Sequence, residues 1–329
     1  MWTYLKRDKR FWICSSFLVI LLVLSVGNTV FNGGEIHQVI LQYDKAGRPE
    51  VPPFTPSLQF LFGTDRKGFD LFNLIIEGAK WTIGFSIIVA IFRMVIGVVI
   101  GFLLGAYVKR GFNKLQALFD SFTVIPMVMI CYFILSEVLI YENGTIPVPF
   151  YQRVLFQLTV FVLLGIPTIS LFVANEVKKI QTEDFIEAAR ILGGGKFYIV
   201  IKHIFPHSSS TFVIMLIQQF VQTMILMLHL GLLQLFFGGT VLYSGESESV
   251  THEWTGLIGV YYLSLSTDTW IPLIPIIFFS LTVLSANKIS ISVQEAIMKS
   301  KSASQPVEDT NKGTIHIPEN EWFKFKHQA

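Results

Sequence analysis

Apolar residues gather in six long blocks along the 329-residue chain, at roughly 11–31, 81–108, 117–140, 153–176, 208–238 and 270–290. A helix crossing the hydrocarbon core of a bilayer needs about 20 such residues, and every block meets that length. The blocks therefore predict an all-α integral membrane protein with about six transmembrane helices. Pro126, Pro167, Pro272 and Pro275 fall inside blocks, which a membrane helix tolerates where its neighbours satisfy the freed carbonyls.

The polar links give an orientation, because Lys and Arg concentrate on the cytoplasmic side of short loops. Lys6, Arg7, Lys9 and Arg10 precede the first block, and Lys109, Arg110 and Lys114 follow the second. Lys178, Lys179, Arg190, Lys196 and Lys202 follow the fourth, and Lys288, Lys299 and Lys301 close the sixth. The links at 142–151 and 238–270 contain no Lys or Arg. All four basic segments share one side if both termini are cytoplasmic. The expected layout is residues 1–31 as N-terminus and first span, and 32–80 as an extracytoplasmic segment that becomes helical from Asp70. A five-helix core follows over 81–298, with a cytoplasmic loop near 177–207, and then a flexible cytoplasmic tail over 299–329. The apolar stretch 256–265 is too short to span and reads as re-entrant or interfacial.

Composition narrows the class. Hydrophobic residues make up 52% of the chain and charged residues 15%, against about 25% charged in soluble proteins. Such a chain cannot cover a water-facing surface, so membrane lipid is much of its solvent. A net charge of +2 without a basic stripe gives no footing for nucleic acid. Cys14 and Cys131 both fall inside apolar blocks and read as inert buried thiols; no His/Cys cluster has metal-ligand spacing. The first block follows four basic residues, as a signal peptide does, but carries no small-x-small cleavage site, so it reads as an uncleaved first helix.

Two features stand out inside the spans. Gly97, Gly101 and Gly105 recur every four residues, a doubled GxxxG that lets two helix backbones approach closely. Arg93 lies about 18 Å from either end of its span at 1.5 Å per residue. It is expected either to form a packed pair, with Glu137 or a partner subunit, or to line a translocation path. Glu137 and Glu176 lie near span ends, and His229 reads as a satisfied bundle residue. The run Gly193-Gly194-Gly195-Lys196 fails as a nucleotide-binding loop, because Arg190 stands where the first Gly is needed and Phe197 where Ser/Thr would meet magnesium. No paired carboxylates, Ser/His/Asp set or zinc motif indicates an enzyme.

The loop after the fourth block reads as a short helix from Glu183, a glycine break, a second short amphipathic helix and Phe205-Pro206 opening the next span. Ala188 and Ala189 offer a smooth surface to another protein, and Gly193 to Gly195 permit a tight turn. The pattern Glu187-Ala188-Ala189, Gly193 and Phe205-Pro206 resembles the EAA loop of ATP-binding-cassette importer permeases. That resemblance implies a coupling helix seated in a groove of a cytoplasmic ATPase.

A second stretch narrows it. Gly63-Thr64-Asp65, Gly68 and Asp70, then Gly78-Ala79-Lys80-Trp81-Thr82, are similar to the external motifs of dipeptide and oligopeptide permeases, specifically the C-type partner of the heterodimer. The likeness runs over about 60–290. It implies a type I importer permease in a bacterial cytoplasmic membrane, with a homologous second permease, two ATPases that bind ATP and magnesium, and an external substrate-binding protein. This chain itself would bind no cofactor. Phe69 and Lys80 stand where the family has Arg, and of its external Trp-Gly only Trp254 and Gly256 remain. The same family carries nickel–chelator complexes, opines and glutathione as well as peptides. Readings from other classes are a self-contained secondary transporter and a non-transporting scaffold or sensor.

Overall fold

The computed structural model describes residues 2–43, 48–108, 111–142, 147–243 and 245–302. Its helices are α1 (Trp2–Leu5), α2 (Lys9–Asn32), α3 (Leu71–Ala79), α4 (Phe85–Tyr107), α5 (Phe112–Val124), α6 (Met127–Leu139), α7 (Phe150–Ile180), α8 (Asp184–Ile191), α9 (Lys196–Ile199), α10 (Phe205–Leu232), α11 (Trp254–Tyr261) and α12 (Trp270–Ser302). Among the described residues, five helical stretches are long and apolar enough to cross a membrane: α2, the run Leu71–Tyr107, α7, the run Lys196–Leu232, and α12.

The third apolar block is not one helix. Ile125 adopts extended backbone (φ −84°, ψ 126°) and Pro126 restarts the chain as α6. Proline pushes its preceding residue out of the helical region, so the expected span 117–140 becomes α5 and α6 with a break between them. Pro167 and Pro275, by contrast, stay inside continuous helices.

Two runs are longer than expected because helices join through π turns. α3 continues into α4 through Lys80–Gly84, where the Ser25 hydroxyl of α2 enters the backbone ladder. It donates to the Glu77 carbonyl at 3.2 Å and accepts from the Lys80 amide at 3.0 Å, a recognised cause of such a bulge. α9 likewise continues into α10 through Val200–Ile204, so the second short helix of the expected loop is the first turn of the next span. The π turn lies just before Pro206, where an α-helical carbonyl would meet the proline ring. The fifth block also ends early, at Leu232.

A small amount of sheet sits at one end. β1 (Gln42–Tyr43) pairs antiparallel with β2 (Pro49–Glu50). β3 (Ile140–Glu142) runs parallel to β4 (Thr240–Tyr243), which turns back antiparallel onto β5 (Glu246–Ser249). This end is clasped by side chains: Tyr261 donates to Asp65 at 2.7 Å, Arg66 reaches Asp268 and Thr267, and Lys67 pairs with Glu248. Of the apolar stretch 256–265, residues 256–261 lie in α11, packed against α3, α10 and α12, while Leu263 and Leu265 in the turn beyond it are exposed.

The opposite end carries the basic segments. Arg10 at the start of α2 bonds Glu295 near the end of α12 at 2.8 Å, and Leu5 packs with Val293 and Ile214. Lys196 lies over the Tyr107 ring. The starts of α2, α9 and α10 and the ends of α4 and α12 therefore share one end of the bundle. Lys109 and Arg110, and the tail beyond 302, lie outside the described residues.

Candidate functional site

α8 forms because Glu183 offers an extended N-cap, Asp184 and Glu187 face the positive helix start, and Arg190 faces the negative end. It stops at a complete Schellman motif. The Gly194 amide donates to the Ala189 carbonyl and the Gly193 amide to the Arg190 carbonyl, both at 3.0 Å. Gly193 has φ +86°, a left-handed conformation that glycine adopts without a Cβ clash.

One side chain anchors this helix. Ile186 is 0% exposed and packs with Val173, Val177, Ile180, Ile199 and Ile204. Ala189 is half-buried against the same cluster, while Glu187 and Ala188 face solvent. Beyond them Ile191 is 81% exposed and Leu192 87% exposed. Phe185 lies 5.7 Å from the His207 ring. Phe205 packs its ring against Phe102 of α4 and Phe212 of α10, and Pro206 follows in the first turn of α10. The result is a short, rigidly seated helix with an uncovered apolar tip, bracketed by charged residues.

The cluster under α8 runs directly into the closest helix pair of the bundle. A Cβ placed on Gly97 would lie 2.6 Å from Ile169, on Gly101 2.5 Å from Val173, and on Gly105 2.7 Å from Val177. The glycine ladder of α4 thus receives the β-branched ladder of α7 in matching four-residue register. Val177 belongs to both the ladder and the cluster beneath Ile186.

Arg93 extends that register one turn further. It is 2% exposed, and Nε and Nη2 both donate to the Phe161 carbonyl, at 2.9 and 2.7 Å. Nη1 reaches Gln219 Oε1 at 3.3 Å and Thr223 Oγ1 at 3.4 Å on α10. Gly165 makes room, since a Cβ there would collide with the guanidinium. The packed role expected for Arg93 fits this placement, but the expected partner does not. Its partners are a backbone carbonyl and two neutral side chains rather than Glu137, which is exposed near the end of α6. Nor does it face open space: it ties α4 to α7 and α10.

Sequence reasoning missed a stripe on α10. Gln218, Gln222, Ile225 and His229 are exposed, at steps of four, three and four. Polar groups inside a span avoid lipid and face a cavity or a partner, so the signal was two glutamines and a histidine at helical spacing. His229 is on this open face, not satisfied inside the bundle.

The external motif organises the far end. Gly63 and Gly68 take φ +78° and +83°. Thr64 Oγ1 accepts from the Phe54 amide at 2.9 Å, and Asp65 Oδ1 accepts from the amides of Lys67 and Phe69. Asp70 caps α3 by accepting from the Phe72 amide at 2.9 Å. Burial pushes the Asp65 carboxyl up, opposed by the Tyr261 hydroxyl and the loop amides. Trp254 is fully buried, donating from Nε1 to the Ile75 carbonyl at 2.8 Å, while its amide donates to Thr82 Oγ1. Glu253 beside it is held by the Thr255 hydroxyl and the Phe237 amide, with burial pushing its carboxyl up. No group of three or more potential metal ligands occurs among the described residues.

The sequence also resembles known transport permeases. The chain is 22% identical over 302 residues to a glutathione transport system permease protein of Escherichia coli, covering 90% of this chain and 88% of that one. It is 24% identical over 243 residues to a peptide transport system permease protein of Brucella suis, covering 74% of each. A dipeptide transport system permease protein of Alkalihalophilus pseudofirmus is 22% identical over 242 residues, 74% of this chain and 72% of that one. Residues 97–301, which include the glycine ladder, α8 and the polar stripe of α10, match the binding-protein-dependent transport system inner membrane component, and the chain belongs to that family of multi-pass transport permeases.

Proposed function

We propose that this chain is one half of the translocation pathway of an ATP-binding-cassette importer for peptides or peptide-like solutes such as glutathione, with a homologous permease as the other half. The observation that carries the reading is α8: a helix anchored by Ile186, stopped by Gly193 and ending in exposed Ile191 and Leu192. In this reading the basic end of the bundle is cytoplasmic, and Glu187, Ala188, Ala189 and Gly193 meet one of two ATPases there. The ATPases bind ATP and magnesium. This chain supplies the surface they press on.

Force on α8 enters through Ile186 into the cluster it shares with Val177, and through Phe205 into Phe102. Both routes reach the α4–α7 pair, which the Gly97–Gly105 ladder and Arg93 hold as one body. That body would move against the partner permease. Gln218, Gln222 and His229 would line the path, and Arg93 would keep the walls together rather than touch substrate. At the far end, the clasp of Asp65, Lys67 and Arg66 onto 240–269 would form the platform met by an external binding protein.

The test is reconstitution into liposomes. With partner permease, ATPases and loaded binding protein, peptide uptake should require internal ATP. Uptake by this chain alone, driven by an ion gradient, would replace the proposal with a secondary transporter. ATPase binding without any flux would indicate a scaffold.

A further inference from the structure

Two recesses lie one above the other along the seam of α2 and α12. The first, about 340 Å³, is polar and opens at the basic end between Tyr4, Arg7, Arg10, Ser292, Glu295 and Lys299. The second, about 330 Å³, is almost wholly apolar and is lined by Leu18 and Leu22 of α2, Ile87 of α4, Phe220 of α10, and Ala286 and Ile289 of α12. On α12 the residues Ile289, Ser292, Ala296 and Lys299 are spaced three, four and three apart, so one stripe of the helix serves both recesses. Ser292 is one turn from Ile289, about 4.5 Å along the axis.

The polar recess is biased toward anions. Arg7, Arg10 and Lys299 line it, against the two carboxylates of Asp8 and Glu295. Both carboxylates are engaged by the single guanidinium of Arg10, at 3.2 Å for Asp8 and 2.8 Å for Glu295. Arg7 adds a further cation to the lining, and Lys299 lies 3.9 Å from the Glu295 carboxylate that Arg10 already holds. Trp2, Tyr4 and Trp12 are exposed around the same end, and Trp and Tyr concentrate at headgroup depth. A water-soluble anion has no use for the apolar continuation. A lipid has use for both parts.

We propose that this seam binds an anionic phospholipid, its headgroup phosphate among Arg7, Arg10 and Lys299 and one acyl chain along Leu18, Leu22 and Ile289. The site is separate from α8 and from the polar stripe of α10, so it stands whether or not the transport reading does. Its occupant would hold the end of α12 against the start of α2.

Native mass spectrometry of the full chain in detergent tests it, with phosphatidylglycerol and phosphatidylcholine of identical acyl chains as probes. Phosphatidylglycerol should be retained preferentially. Replacing Arg7 and Lys299 together by Ala should weaken its retention by about twenty-five-fold, at about fivefold for each cation near an anionic headgroup. The double variant Arg7→Lys with Lys299→Arg should retain it, which separates charge from packing. Ser15→Trp, which fills the apolar groove, should weaken retention without touching any cation. Equal retention of the two lipids, or unchanged retention in the Ala double variant, would overturn the proposal. Displacement by excess inorganic phosphate would also overturn it, leaving a phosphate pocket in which the groove has no part.

Discussion

Gly165 is the residue that lets Arg93 reach the Phe161 carbonyl: the guanidinium occupies the space that a Cβ at position 165 would fill. A buried arginine in a membrane helix is tolerable only where its donors find acceptors, and here one carbonyl takes two of them. Gly165→Ala should therefore lower the thermal stability of the purified chain by expelling Arg93 from its seat. Arg93→Met should lower it through loss of the hydrogen bonds. The double variant should lose less than the sum, with a coupling of about 0.5–3 kcal/mol in a double-mutant cycle. Strict additivity would show that the two residues act separately.

The Schellman stop of α8 gives a graded prediction. At φ +86°, alanine costs about 1–2 kcal/mol and asparagine less. Gly193→Ala should impair ATP-driven uptake more than Gly193→Asn, while membrane insertion and bundle stability stay at the wild-type level. Equal uptake by all three would remove the turn from the coupling account.

If α10 lines the path, Gln222→Cys in a background with Cys14 and Cys131 replaced should react with a membrane-impermeant thiol reagent in the assembled transporter. Ile217→Cys, beside the apolar groove of the α2–α12 seam, should not. Transported peptide should protect Gln222→Cys. Labelling of neither position would place the stripe against the partner permease instead.

The external clasp should respond to acid through His252. Burial pushes its pKa below the ordinary 6.5, with Asp65, Glu248 and Glu77 pulling upward and Lys67 pushing downward. A folded-state pKa below the unfolded value means that folding releases a proton. The neutral ring's contribution is thus complete above about pH 6.5 and is lost as pH falls below it. Asp65 and Glu253, whose carboxyls are pushed up, act in the opposite sense, so the comparison must be differential. His252→Asn, which suits the φ of +51° at this position, should narrow the drop in melting temperature between pH 7.5 and pH 5.5. An unchanged drop would acquit His252.

Much of this was visible in the chain, and what was not has physical reasons. Apolar length and charge placement gave the spans and the shared basic end, and Asp70 announced the start of α3. The glycines at 97, 101 and 105 announced a close contact but not its partner, because Ile169, Val173 and Val177 resemble any membrane-helix residues until they face a glycine. The partner of Arg93 is a main-chain carbonyl, which leaves no mark in a sequence. Pro126 breaks its block while Pro167 and Pro275 stay inside continuous helices, so a proline in an apolar block does not by itself say whether the helix runs on. The π turns arise from a distant hydroxyl, Ser25, and from Pro206, and such joins read as boundaries when only one segment is seen.

The central claim is that the tip of α8 conveys ATPase motion to the bundle. Leu192 is 87% exposed, so Leu192→Asp should leave the fold intact. The decisive measurement is ATP-dependent peptide uptake in liposomes by the complete transporter carrying Leu192→Asp, with ATP hydrolysis followed in parallel. Uptake should be lost and hydrolysis should no longer respond to loaded binding protein, at unchanged melting temperature of this chain. Full uptake with normally stimulated hydrolysis would contradict the account.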